Sequence, residues 1–292
     1  MRTDITTRRF KMYSWSDRES DISTIYLRYD SWPEFVQDAT TCPKGPAGYR
    51  YSHSNSRSNS RFSGEITWNQ AVDLARNGWK DGSDRIKALL APLYDKLARE
   101  AYQPEMVMDI EGDTIDIGTL LTGFPEPFLR WQDSQQLVER GNSNRHVRIG
   151  YNISASGGFS TEDLFTKGAY ICALVDMLET HGRRVSLDLY DGTRSGERRL
   201  YVRIELKKAD APLNLRNIAF AVCHPATLRR LLFSKEESLP YPWYNLTYCM
   251  PDDPPDLEAD IKINATTLIQ AGFDMTAWVK GHLVAQGVEF KD

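Results

Sequence analysis

Basic and aromatic residues recur at every second position in two segments of the sequence. In residues 199–204 they alternate with leucine, valine and isoleucine, and residues 146–149 alternate in the same way. Because successive side chains of a strand point to opposite faces, one face is apolar and the other carries His146, Arg148, Arg199, Tyr201 and Arg203. Arginine binds phosphate groups, and an aromatic ring stacks on a nucleic-acid base for about 1 to 3 kcal/mol. The pattern predicts a surface for single-stranded nucleic acid.

An ordinary solvated sheet face is the alternative interpretation of these five residues. Asp188 and Glu205 are predicted on the same side of the sheet. Their negative charges would oppose phosphate binding. The alternation alone favours neither interpretation.

A second group of basic and aromatic residues lies in residues 49–62, where serine alternates with arginine and asparagine and no aliphatic residue occurs. A segment with so little to bury predicts an exposed, mobile loop. Its candidate contacts are Tyr49, Arg50, Tyr51, Arg57 and Arg61. This composition suits a loop that orders on contact with a flexible strand, and it also suits a mobile loop with no binding role.

A short polar loop is predicted between a strand and a capped helix. Its sequence is Asn-Ile-Ser-Ala-Ser at 152–156, followed by two glycines. The loop resembles the Asp-x-Ser-x-Ser motif of von Willebrand A domains, in which oxygen ligands hold Mg²⁺. This resemblance spans about residues 145–191 and implies a protein-interaction module. Because Asn152 replaces the charged aspartate, no metal is predicted, and a tight turn that needs the glycines is the alternative.

Common signatures of catalysis are missing from the sequence. It contains no serine nucleophile elbow, no His-Glu-x-x-His pair, no Walker lysine loop and no dinucleotide-binding glycine pattern. His224, which precedes Pro225, is more typical of a structural histidine than of a general base. We therefore expect a binding protein that is not an enzyme and that has no cofactor.

The elements that must position these residues predict a mixed α/β fold. Strands at 147–153 and 185–189 flank a helix that begins after Ser160 and ends at Gly182, which makes a βαβ unit. A turn at 191–196 adds a third strand as a hairpin. We expect a central mixed sheet with helices mainly on one face.

Shorter signals predict the remaining elements. Thr67 with Gln70 forms a capping box for one helix, and Pro92 should kink the next one. Residues 105–117 predict a hairpin, residues 214–234 a helix that is broken at His224, and Asp274 caps a last helix that ends near Gln286. The predicted organisation is a long N-terminal loop region (1–64) and a main body (65–292), with helices and a hairpin in 65–140 and the sheet core in 141–292.

Composition limits the class of protein. The net charge of −4 excludes a positive field over the whole surface, so any nucleic-acid site must be local. No apolar run reaches the roughly 18 to 20 residues that a membrane span needs, and residues 1–10 do not resemble a secretory signal. These features predict a cytoplasmic protein without a membrane partner, in the host cytoplasm if the protein is viral.

Three stretches carry a resemblance to a family found in phages and plasmids. They are Trp68-Asn-Gln-Ala-Val-Asp-Leu-Ala-Arg-Asn-Gly-Trp79, Ile153-Ser-Ala-Ser-Gly-Gly158 and Ala219-Phe-Ala-Val-Cys-His-Pro-Ala-Thr-Leu-Arg-Arg230. The chain resembles the single-stranded-DNA-binding RNA polymerase cofactors, called Drc, of phages that package a virion RNA polymerase. The resemblance implies a transcription cofactor that holds the unpaired strand of a melted promoter and recruits the phage RNA polymerase.

Two hypotheses follow. The first is a single-stranded DNA-binding protein of phage transcription, with phage RNA polymerase as a partner and homo-oligomers as a possible form. The second is an interaction module of the von Willebrand A type with a degenerate metal-binding loop.

Overall fold

A computed structural model of the protein describes residues 2–7, 10–15, 24–41, 61–100, 106–109, 114–122, 125, 128–131, 146–239, 249–255, 258–265 and 274–288. The strands are β1 (Arg2–Thr7), β2 (Phe10–Trp15), β3 (Thr24–Tyr29), β4 (Met106–Asp109), β5 (Thr114–Ile115), β6 (Phe128–Trp131), β7 (His146–Asn152), β8 (Arg184–Ser195), β9 (Arg198–Lys207), β10 (Met250–Pro251) and β11 (Ile261–Ile263). The helices are α1 (Trp32–Thr41), α2 (Trp68–Asn77), α3 (Lys80–Glu100), α4 (Ile117–Leu121), α5 (Thr161–Thr180), α6 (Leu215–Cys223), α7 (Phe233–Glu237) and α8 (Met275–Ala285). A 3₁₀ turn (Arg61–Ser63) precedes α2, and a π-helix (Thr227–Leu232) precedes α7.

One mixed sheet organises the fold. Its strand order is β1-β2-β3-β9-β8-β7-β11, and β10 pairs with the end of β8. β7 runs parallel to both β8 and β11, while β9 runs antiparallel to β8. The mixed α/β fold, the β7-α5-β8 unit and the β8-β9 hairpin are therefore confirmed. β8 extends to Ser195, so the hairpin turn is shorter than the sequence predicted.

Helix α5 is the central element of the core. The predicted capping box is present, since Ser160 accepts the backbone N–H of Asp163 and the Asp163 carboxylate accepts that of Ser160. Most residues of this helix are buried, including Lys167, Ala169 and Leu174. The reason is that α5 packs on β8 and also contacts α3, α6 and α8.

At Gly168, helix α5 lies very close to the backbone of α6. A Cβ added at this glycine would lie 2.3 Å from the carbonyl oxygen of Val222 and 2.7 Å from the Sγ of Cys223. Only a residue without a side chain allows this contact. The position of the C-terminal end of α6 therefore depends on Gly168.

Several helix boundaries agree with the sequence signals. Thr67 and Gln70 form the capping box of α2, Pro92 lies inside α3, and the Asp274 side chain caps α8. The predicted break at His224 separates α6 from the π-helix.

The N-terminal region differs from the long loop that was predicted. β3 pairs in parallel with β9, and α1 buries Phe35 and Val36 in the main core. The alternation of Ile25, Leu27 and Tyr29 was the signal for β3. Residues 42–60, which include most of the predicted loop, lie outside the described residues.

The hairpin predicted at 105–117 has a different pairing. β4 and β5 are both present, but each pairs antiparallel with β6 and they do not pair with each other. The strand order of this second sheet is β4-β6-β5. A short strand close to Pro125 and Pro127 gave no clear sequence signal, so the partner was missed.

In the described part of the chain, none of the helices combines the length and the apolar character that a membrane crossing requires.

We predict opposite effects of alanine at two helical glycines. Gly168→Ala should lower the free energy of unfolding by about 1 to 3 kcal/mol, because the new methyl group overlaps α6. Gly281→Ala in α8 is the matched control: no atom of the described residues lies within 4 Å of its Cβ position, so the change should raise stability by about 0.5 to 1 kcal/mol through helix propensity. Denaturant unfolding measures both. Equal effects at the two positions would contradict the close contact between α5 and α6.

Candidate ligand-binding pocket

The predicted basic face of the sheet is present, but carboxylates accompany its cations. Arg203 donates to the Asp188 Oδ2 at 2.8 Å, and the Arg199 Nε lies 3.3 Å from the Asp252 Oδ2. Tyr201 is only 2 % exposed, and its hydroxyl donates to Asp252 at 2.7 Å. Burial and this hydrogen bond raise the pKa of Tyr201 well above its usual value. The expectation of an open stacking ring at Tyr201 is therefore corrected.

Two neighbouring elements cause this difference. The segment that contains β10 returns beside β8 and brings Asp252 to the face, while β3 brings Tyr26 to 5.2 Å from the Tyr201 ring. Neither arrangement was predicted, since β3 and β10 both lie in regions that the sequence indicated to be loops.

The two candidates on β7 also have partners. Arg148 lies beside the Glu258 carboxylate at 3.6 Å, and its backbone N–H donates to Asp260. The Nε2 of His146 lies 2.8 Å from the Ser186 hydroxyl. The other five candidates come from the predicted loop at 49–62. Tyr49, Arg50, Tyr51 and Arg57 lie outside the described residues, and Arg61 begins the 3₁₀ turn.

The loop that resembles a metal-binding motif is closed by its own hydrogen bonds. The Ser154 Oγ lies 2.6 Å from the Oδ1 of both Asn152 and Asp191, and it accepts the N–H of Gly192. Asn152 and Ser154 are fully buried. Burial raises the pKa of Asp191 above its usual value. These oxygens bind one another, and the described residues contain no cluster of three histidine, cysteine or acidic side chains for a metal.

The amino group of Lys167 is hydrogen-bonded to the first residue of this loop, Asn152. Its Nζ donates to the carbonyl oxygens of Asn152, Asn264 and Ala265 at 2.9 to 3.1 Å. Burial lowers the pKa of Lys167 to about 7, and Asp253 partly opposes this effect. The three bonds join the carboxyl ends of β7 and β11.

A cavity of about 640 Å³ lies next to this strand end. Its walls contain five rings, those of Phe62, Trp79, Phe159, Phe165 and His224. Arg85 and Arg229 supply cations, and Ser160 and Thr161 bring the N-terminal end of α5. Ligand sites in α/β proteins lie at the carboxyl ends of parallel strands, where the chain crosses from one side of the sheet to the other. The loop that leaves the carboxyl end of β7 contributes Gly157 and Phe159 to the cavity, and β7 lies between two parallel neighbours, β8 and β11.

Arg229 is the unusual charge in this cavity. Its residue is 2 % exposed, and its guanidinium donates to the carbonyl oxygens of Phe62 at 2.7 Å and Phe159 at 3.0 Å. The Phe62 ring lies 4.1 Å from the guanidinium carbon. Among the residues that the structure describes, no carboxylate pairs with it. Burial lowers the pKa of Arg229 to about 10, so the group stays charged at neutral pH.

The π-helix brings two consecutive arginines to one segment. Arg229 contacts Phe62, and Arg230 donates to the carbonyl of Ile66 and the hydroxyl of Ser63. Such irregular turns occur frequently at functional sites. The sequence signal was the pair of arginines within an apolar helical segment, and it was not interpreted as a site.

The rings of the cavity are held by close packing. A Cβ added at Gly82 would lie 2.1 Å from the Trp79 indole, so this glycine allows the ring to lie against α3. Trp79 meets His224 edge to face at 4.7 Å, and His224 stacks on Phe220 at 5.0 Å. His224 accepts the N–H of Ala226 through its Nδ1. Burial lowers the pKa of His224 to about 4, so it is neutral at pH 7.

The N-terminal end of α5 adds a partial positive charge to one wall. The first backbone N–H groups of a helix have no partner within it, and the macrodipole favours an anion there. Arg85 reaches the same wall, where its guanidinium lies 3.8 Å from the Phe165 ring and pairs with Glu162. Glu65 is the acidic residue that also lines the cavity.

All three stretches that carried the family resemblance border this cavity. Trp79 ends the first stretch, Gly157 belongs to the second, and His224 and Arg229 belong to the third. Comparison with known families then gives one result: the family described as a domain of unknown function (DUF7192) matches residues 13–288.

The chain belongs to this family. The match covers the chain from β3 to α8 and every residue of the cavity, so the pocket is part of the DUF7192 domain. No curated protein and no solved structure matches the chain.

We predict that His224 makes the protein sensitive to acid. Its folded-state pKa of about 4 lies below the ordinary value of roughly 6.5, so the unfolded chain binds the proton first as the pH falls. Between pH 7 and pH 4 the wild type should lose on the order of 3 kcal/mol of unfolding free energy relative to His224→Phe. Denaturant titrations at several pH values measure this difference. If the unfolding free energies of the wild type and His224→Phe changed equally with pH, the pKa of His224 would be the same in the folded and unfolded states, and the prediction would be wrong.

Proposed function

We propose that this protein binds single-stranded nucleic acid without catalysing a reaction, and that the contact is centred on the cavity formed by Arg229, Arg85 and their neighbouring rings. The observation that carries the proposal is Arg229: a buried guanidinium, paired with no carboxylate in the described part of the chain, that lines an aromatic cavity. Arginine frequently binds phosphate in a bidentate manner, through two parallel N–H···O hydrogen bonds. A base could stack on the aromatic rings of the cavity, whereas the ring of Tyr201 is buried.

Charge balance supports this location over the sheet face. On the face, Asp188, Asp252 and Glu258 lie beside the arginines, so a phosphate there would have to compete with carboxylates. In the cavity, Arg85 pairs with Glu162 at a half-exposed position, and Glu65 also lines the wall, whereas Arg229 has carbonyl partners and no carboxylate partner among the described residues. A phosphate that reaches Arg229 would gain a charge-assisted hydrogen bond worth roughly 1.5 to 3 kcal/mol.

The biological setting in this proposal comes from the resemblance to the Drc cofactors. It assigns the protein to the cytoplasm of a phage-infected host cell, with melted promoter DNA as ligand and the phage RNA polymerase as partner. The cavity geometry supports the choice of an unpaired strand, because a base enters a ring-lined pocket only when it is free of its complement.

We predict that two arginine variants weaken binding of a single-stranded oligonucleotide. Arg229→Gln and Arg85→Gln should each raise Kd about tenfold or more, since each removes a charged contact to phosphate. Binding of the wild type should weaken steeply with salt, and both variants should show a shallower slope. Fluorescence anisotropy with a labelled strand, titrated at several salt concentrations, gives Kd and slope together.

Arg198→Gln is the matched control, because Arg198 is an exposed arginine on β9 that does not line the cavity. Its Kd should equal that of the wild type. Arg85 is half exposed, so its variant keeps the test valid even if Arg229→Gln unfolds the chain. Wild-type affinity in a folded Arg85→Gln variant, or stronger loss in Arg199→Gln, would move the site away from the cavity.

A protein-interaction module of the von Willebrand A type is the second candidate. The observation that favours it is the place of the Asn-x-Ser-x-Ser loop, at the carboxyl end of β7 and directly before α5. The hydrogen bonds among Asn152, Ser154 and Asp191, together with the ammonium of Lys167, argue that such a module would work without a metal.

Addition of Mg²⁺ separates the two candidates. A working metal site would raise the thermal midpoint increasingly as the Mg²⁺ concentration exceeds the Kd of the site, and Asn152→Ala would remove the increase. We predict the same midpoint with and without Mg²⁺, measured by differential scanning calorimetry. A magnesium-dependent rise that Asn152→Ala removes would favour the second candidate.

A further inference from the structure

We propose that the cavity binds one nucleotide by a phosphate monoester and its base, so that the protein takes up the terminal nucleotide of a strand or a free mononucleotide. This inference rests on the proposed function and adds the chemical class of the group that the cavity recognises.

The size of the cavity is the first argument. Its volume is about 640 Å³, within the range of about 300 to 1,000 Å³ that is typical of small-molecule sites. Such a space accommodates one base with its sugar and phosphate, and not a run of stacked bases. A longer nucleic-acid strand must therefore leave the cavity after its terminal nucleotide.

The position of Arg229 is the second argument. The residue is 2 % exposed, and carbonyl groups of Phe62 and Phe159 hold its guanidinium in place. Two of its five N–H groups are used by these bonds, which leaves others for a ligand. An internal phosphate carries a nucleotide on each side and reaches such a buried cation poorly. A terminal phosphate reaches it from one direction.

Charge is the third argument. A phosphate monoester carries about −1.5 to −2 at neutral pH, whereas an internal phosphodiester carries a single negative charge. The cavity offers Arg229, Arg85 and the N-terminal end of the 20-residue helix α5. Glu162 pairs with Arg85, and Glu65 also lines the cavity. Arg229 is therefore the cation of this set that has carbonyl partners and, among the described residues, no carboxylate partner. Such a cation attracts a dianion more strongly than a monoanion.

The rings supply the remaining contact. Trp79 and Phe62 line the cavity and are partly exposed. Trp79 packs against Gly82 and His224. Phe62 packs against Arg229 and Phe233. A ring that is already fixed loses little conformational entropy when a base stacks on it. A nucleotide should therefore bind more tightly than inorganic phosphate.

The test compares four ligands by isothermal titration calorimetry with the full chain. They are a short oligothymidylate with a 5′-phosphate, the same strand with a 5′-hydroxyl, thymidine 5′-monophosphate and inorganic phosphate. We expect the 5′-phosphorylated strand to bind about tenfold more tightly than the 5′-hydroxyl strand. Thymidine 5′-monophosphate should compete with it, and inorganic phosphate should bind more weakly than the mononucleotide. A strand with a 3′-phosphate tests which end enters.

Thr161→Asp places a carboxylate in the cavity without harming the fold, because an acidic residue in the first turn stabilises a helix. It should remove the advantage of the phosphorylated strand, and Thr161→Asn, of the same size and without charge, should keep it. Both variants are compared by thermal unfolding to verify that α5 is intact.

The outcomes separate this inference from the proposed function. Equal affinities for the phosphorylated and unphosphorylated strands, with no competition from the mononucleotide, would overturn the inference while strand binding stands. Binding of thymidine 5′-monophosphate without binding of either strand would support the nucleotide site and overturn the proposed function. An advantage of the phosphorylated strand that survives Thr161→Asp would also overturn the inference, because the phosphate would then lie elsewhere.

Discussion

The deep burial of most of α5 is the constraint on which the rest of the structure depends. A charged residue on the buried part of a helix needs internal partners, and Lys167 finds three carbonyl oxygens at the ends of β7 and β11. Gly168, one residue later, lets α6 approach the helix backbone directly. Together these contacts fix the end of β7, the start of α5 and the end of α6 around one cavity.

The distribution of carboxylates decides which basic residues are available to a ligand. Arg148, Arg199 and Arg203 project from the sheet as the alternation required, but Asp188, Asp252 and Glu258 lie beside them. Such pairs contribute modestly to stability at a surface, yet an incoming phosphate would have to displace them. Arg229 has carbonyl partners in place of a carboxylate. A phosphate can join that arrangement without removing an existing ion pair.

Local signals in the sequence predicted much of the fold and little of the candidate site. The capping boxes at Thr67 and Ser160 and the alternation in β7, β8 and β9 act over a few residues, so they can be recognised without tertiary information. The cavity depends on contacts between Phe62, Trp79 and Arg229, which are distant in the chain. The same limit explains Tyr201: its strand and face were predicted correctly, but Asp252, 51 residues away, closes over its hydroxyl. β3 is a different case, since its alternation was present and was outweighed by the polar composition of the region that contains it.

The retention of a buried cation in the cavity has an energetic consequence. Burial of a charge without a countercharge is unfavourable, and the lowered pKa of Arg229, about 10, reflects this desolvation. Two carbonyl groups and the Phe62 ring offset part of the penalty in the free protein. A bound phosphate would offset the remainder, so part of its binding free energy would come from relief of a cost already present in the fold. Replacement of Arg229 by an apolar residue would remove this cost, but the carbonyl oxygens of Phe62 and Phe159 would lose their donor. The guanidinium therefore joins two distant segments of the chain, and the proposed anion would add a second role to this structural one.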